Sequence, residues 1–113
     1  MIMMPTEIRL QNQGRVLLLD YGSTSYALSA EYLRVYSPSA EVRGHGKPVL
    51  QTGKQDVSIT ALAPVGHYAV KIVFSDGHDS GLYDWAYLHR LATEYDALWQ
   101  DYLRRVQHHL NAK

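Results

Sequence analysis

The sequence contains no cysteine, so it holds no disulfide framework, no thiolate metal site and no thiol redox chemistry. Neither charge is in excess: 11 basic residues balance 11 acidic ones over 113 residues. The electrostatic footprint of a nucleic-acid or acidic-membrane binder is therefore missing. Long apolar runs are also scarce. Met1-Ile2-Met3-Met4 is far shorter than a signal-peptide core or a membrane span. The expectation is a soluble, cytoplasmic protein with no nucleic-acid or membrane partner. Phenylalanine occurs once, against nine tyrosines. Each buried phenol needs a partner for its hydroxyl, or stays at an interface. At this length one domain is expected over residues 1–113, with a core from about 7 to 92 and a helical extension from about 93 to 110.

What is present is organised around residues 64–91. Tyr68, Val70, Ile72 and Phe74 alternate with His67, Ala69, Lys71 and Val73, the period of a strand with one strongly apolar face. Pro64-Val65-Gly66 reads as the turn before it and Asp76-Gly77 as the turn after it, because glycine accepts positive φ. Asp84 then precedes an apolar helical pattern, where its carboxylate caps free backbone N–H groups.

Earlier in the chain, residues 7–11 alternate as a half-exposed strand and Asn12-Gln13-Gly14 reads as a turn. Val16-Leu17-Leu18-Leu19 fits a central strand covered on both faces. Residues 25–28 form a short strand, and Ser29 caps a helix over 30–36. Residues 37–55, with Pro38, Gly44, Gly46, Pro48 and Gly53, read as a long loop with at most a short strand at 49–51. Residues 57–63 alternate as another strand.

The run from Gly22 to Leu33 parallels that from Gly77 to Leu88: turn, short strand, cap residue, then a helix with Tyr-Leu one turn in. The reading is an α+β fold: a small, mostly antiparallel sheet built from two β-β-α units, with a long C-terminal helix. Leu88, Leu91, Tyr95, Leu98, Tyr102 and Val106 give that helix one apolar stripe, and Asp101 precedes Arg105 in the favourable order for an ion pair. A continuous helix over 84–110 would run ~40 Å against a body of ~30 Å. It therefore breaks near 92–94 or projects. If it projects, Trp99, Tyr102 and Val106 need another surface, and a homodimer is the simplest provider.

Among ionisable residues, the turn Asp76-Gly77-His78-Asp79 is the leading candidate. An imidazole flanked by two carboxylates suits metal ligation or proton transfer; the simpler reading is a ring that fixes the turn. His45 lies in the long loop, His89 reads as structural, and the adjacent His108 and His109 point too far apart to chelate one ion. If a metal binds at all, its ligands are His78 with Asp76, Asp79 or His45; none is expected. Gly44-His45-Gly46-Lys47 lacks the strand and helix of a phosphate loop. The aromatics at 83, 85, 87, 95, 99 and 102 suit a stacking platform, but their helical spacing and the missing basic stripe favour core and interface. No acid–base–nucleophile set is visible, so no enzyme activity is expected.

The turn Phe74-Ser75-Asp76-Gly77-His78 followed by Leu82-Tyr83-Asp84-Trp85-Ala86-Tyr87-Leu88, with residues 7–34 ahead of it, resembles the gamma-butyrobetaine hydroxylase-like N-terminal domain family in its stand-alone form. In the hydroxylases, the resemblance implies, this domain precedes an iron- and 2-oxoglutarate-dependent catalytic domain and carries zinc on three cysteines and one histidine. Here Ser37, Ser39 and Val42 stand where the cysteines would, and His78 matches the histidine. A valine and two neutral hydroxyls do not replace three thiolates. The resemblance thus implies an accessory or adaptor module that binds another protein, with neither cofactor nor hydroxylase activity. Fusions of similar domains to iron–sulfur P-loop proteins supply the alternative: a metal-binding or iron–sulfur accessory protein, with zinc or iron at His78.

Overall fold

The computed structural model describes residues 4–38, 54–78 and 81–111. Strands β1 (Glu7–Gln11), β2 (Val16–Asp20) and β3 (Ser25–Ser29) form one antiparallel sheet, followed by helix α1 (Ala30–Val35). Strands β4 (Ile59–Val65), β5 (Ala69–Phe74) and β6 (Leu82–Asp84) form a second, followed by α2 (Trp85–Thr93) and α3 (Tyr95–Asn111). The α+β class and the C-terminal helix are as read from sequence. Each unit carries three strands and keeps its own sheet, so the two units do not share one ladder.

The repeat is visible in the caps. The Tyr32 N–H donates to Ser29 Oγ at 3.1 Å and the Tyr87 N–H to Asp84 Oδ1 at 2.7 Å, each closing the first turn of its helix. Leu17, Leu19, Leu28 and Leu33 from the first unit and Ile72, Phe74, Leu88 and Leu91 from the second share one core. β2 is central as expected, though only its Leu17/Leu19 face is fully buried. Two further details depart from the sequence pattern. Tyr68 is 59% exposed and precedes β5 instead of joining its apolar face, because the turn runs through Gly66 at φ +55°. Pro64 lies inside β4, opposite Val70, and is tolerated there because β4 is an edge strand.

The long helix breaks at Glu94, and the molecule measures 45 × 30 × 26 Å. The expected Asp101–Arg105 pair forms at 3.1 Å. α3 packs back on α1: Tyr102 is 2% exposed and donates to Glu31 at 3.4 Å, and Trp99 lies edge-on to Tyr32 at 6.0 Å. Tyr102 is thus covered by its own chain and is no dimer surface, Trp99 is partly covered, and Val106 is half-buried.

The abundance of tyrosine has a physical reason. Tyr32 and Tyr87 sit at matching places in the two units, as do Tyr36 and Leu91. The Tyr32 hydroxyl donates to the Leu91 carbonyl and the Tyr87 hydroxyl to the Tyr36 carbonyl, so the units exchange equivalent bonds. Tyr83 likewise donates to the Leu33 carbonyl, and Tyr36 to that of Leu98. Several of these carbonyls lie in or next to last helical turns, where no intrahelical donor remains. Tyr83→Phe is therefore expected to lower the unfolding free energy by about 1–2 kcal/mol in urea titration, whereas Tyr68→Phe leaves it unchanged.

Candidate functional site

The predicted turn is built by Asp76. Its Oδ1 accepts the His78 N–H at 3.1 Å, while Gly77 at φ +89° lets the chain reverse and the His78 carbonyl close on the Phe74 N–H at 3.0 Å. Its Oδ2 accepts from Arg34 Nε and from Lys54 Nζ, both at 2.9 Å. Burial alone would raise this carboxyl, but the hydrogen bonds from Lys54, His78 and Arg34 outweigh it and hold the pKa at about 2. Asp76 is thus already engaged by two cations.

The His78 ring turns inward and lies against Phe74, with ring centroids 6.1 Å apart. Its Nε2 is 2.8 Å from Ser37 Oγ, just beyond the C-terminal end of α1. Ser37 is 2% and His78 7% exposed. Gly81 backs directly onto the serine, and any larger residue there would overlap Ser37 Oγ. A serine hydrogen-bonded to a histidine has the elements of a nucleophile and its base. Here, however, the carboxylate of Asp76 binds the histidine's main chain rather than its ring, and the pair is enclosed. Its geometry is that of a clamp between α1 and the β5–β6 turn.

The resemblance paired Ser37 with His78, and the structure brings these two together. Ser39, Val42, His45 and Asp79 lie outside the described residues. The donor set does not fit a thiolate zinc site: the sequence has no cysteine, His78 Nε2 faces a serine hydroxyl, and Asp76 is held by Arg34 and Lys54. Among the described residues no cluster of three or more histidines, aspartates or glutamates could hold an ion. His89 packs edge-on against Tyr21 at 5.4 Å, a structural role as expected. Ser37→Ala is expected to cost about 1–2 kcal/mol of stability, read from the shift in urea midpoint.

Sequence reasoning missed Arg34 and Lys54. Arg34 is one of four successive buried residues, Tyr32 to Val35, and an arginine inside such a run signals a buried acceptor elsewhere in the chain. Sequence alone did not reveal that the acceptor is Asp76.

Among the described residues no helix is long and apolar enough to cross a membrane. The chain is similar to two solution NMR structures. One is 52% identical with a TM-score of 0.85, covering 95% of this chain and 86% of that one. The other is 50% identical with a TM-score of 0.79, covering 92% and 80%. It is also similar to the crystal structure of a protein of unknown function of the DUF971 family from Acidithiobacillus ferrooxidans ATCC 23270, at 41% identity and a TM-score of 0.67, covering 80% and 93%. No curated protein matches. The family model described as gamma-butyrobetaine hydroxylase-like, N-terminal, matches residues 8–89, and the chain belongs to that family.

Proposed function

We propose that the chain is a cytoplasmic, non-enzymatic accessory module that acts by binding another protein. The observation that supports this reading is the closed state of the Ser37–His78 pair: both side chains are buried and turned to each other, which suits structure and not turnover. Apolar surface remains outside the core, with Tyr68 and Leu82, the latter 44% exposed, beside the second sheet.

The test is photo-crosslinking in the source cell, with the crosslinker placed in turn at Tyr68, Leu82 and Tyr26. A discrete protein adduct at one position and not at the others supports the module. Adducts that are absent or scattered at all three would remove it. The same protein, purified without a histidine tag, is expected to carry zinc and iron at a stoichiometry near zero, unchanged by His78→Ala. A stoichiometric metal lost in that variant would favour the metal-binding reading instead.

A further inference from the structure

We infer that the groove between β3 and the α2–α3 junction receives an extended segment of the partner protein bearing a lysine or arginine. This rests on the adaptor reading above and names its surface and the chemistry of its partner. The groove has a volume of about 290 Å³, with Tyr26, Ala27 and Leu28 on one side and Tyr95 and Asp96 on the other.

The first argument is the strand edge. Among the described residues β3 pairs only with β2, and no strand lies on its far side. The hairpin closes with the Tyr21 N–H on the Thr24 carbonyl at 2.8 Å, and the far end with the Ala30 N–H on the Arg15 carbonyl, also at 2.8 Å. Antiparallel alternation between those two closures makes Leu19–Tyr26 and Leu17–Leu28 the hydrogen-bonded pairs. Ala27, opposite Leu18, therefore turns its N–H and C=O away from β2, on the groove side. A donor and an acceptor spaced along a strand edge match another main chain in extended form.

The second argument is the chemistry of the walls. Tyr32, Tyr36, Tyr83, Tyr87 and Tyr102 all donate their hydroxyls within the chain. The hydroxyls of Tyr26 and Tyr95 and the carboxylate of Asp96 have no hydrogen bond or ion pair among the described residues, and all three residues line this groove. A carboxylate beside two phenol hydroxyls selects a cation by charge, with the hydroxyl oxygens as further acceptors for its N–H groups.

The experiment presents the full-length chain with a displayed library of random heptapeptides. The expected result is enrichment of alternating apolar sequences with a lysine or arginine. A synthetic peptide of the enriched sequence then loses about tenfold in affinity on Asp96→Lys, and its lysine-to-glutamate version binds that variant better than the wild type. Ala27→Pro, which removes the outward N–H, weakens the same peptide. Asp96 is exposed, so its variant keeps the fold even if the proline does not. No enrichment, or binders indifferent to Asp96→Lys, would overturn the inference. A crosslinked partner that Asp96→Lys still captures in cells would remove this groove but leave the adaptor module standing.

Discussion

Gly14→Ala is expected to lower the unfolding free energy by about 3 kcal/mol or more, a large share of the 5–15 kcal/mol typical of a domain. Gly14 ends the turn between β1 and β2 with φ +84°, after Asn12 and Gln13 at +51° and +58°. A side chain in that left-handed region costs roughly 1 kcal/mol by itself. The larger effect is steric. A methyl group at Gly14 would overlap the carbonyl oxygen of Ile59, the first residue of β4, so the turn of the first sheet rests on the backbone of the second. Backbone cannot rotate away as a side-chain end can. Gly22→Ala is the control: φ there is +92°, but nothing lies within 4 Å of the added carbon. Urea titration of both variants isolates the steric part, and equal losses would refute the contact between the sheets.

Asp76→Ala is expected to cost about 3–5 kcal/mol, because it strands the Arg34 guanidinium in the interior. The Arg34 side chain is 7% exposed, and its Nη1 already lacks a hydrogen-bond partner, so Asp76 on Nε is its compensation. Acid should imitate the mutation. Asp76 is held at about 2 in the folded protein against an ordinary 3.8. Its contribution is therefore full above pH ~4 and fades as pH falls through the folded value. Thermal unfolding of wild type and Asp76→Ala across this range should give midpoints that converge toward pH 2. Parallel curves would show that the contribution of Asp76 does not depend on its charge.

What the sequence disclosed and what it hid follow from the range of the forces involved. Ser29 and Asp84 were legible as caps because a cap and its helix lie within four residues of each other. Comparing helix length with domain size left a break near 92–94 or a projecting helix, and the break at Glu94 is the first of these. The strand character of 69–74 was written in its alternation, but periodicity gives the faces of a strand and not its neighbours, so two sheets were read as one. Tyr68 fitted the alternation, yet the positive φ of Gly66 placed it in the turn. Within the candidate site, the Asp76-Gly77 turn was local and readable. The Ser37–His78 contact came only from family resemblance, and the Arg34–Asp76 pair, 42 residues apart in sequence, had no local trace.

The crossed hydroxyl bonds of Tyr32 and Tyr87 also bear on how the chain assembles. Each unit holds the donor for a carbonyl in the other, together with half of a common interior, so neither is a self-sufficient folding unit. A backbone nick between Pro38 and Lys54 would consequently yield two fragments that depend on one another, unstructured apart and complementary when mixed. Refolding from such a pair would be second order in fragment concentration, which sets it apart from independent folding of either piece.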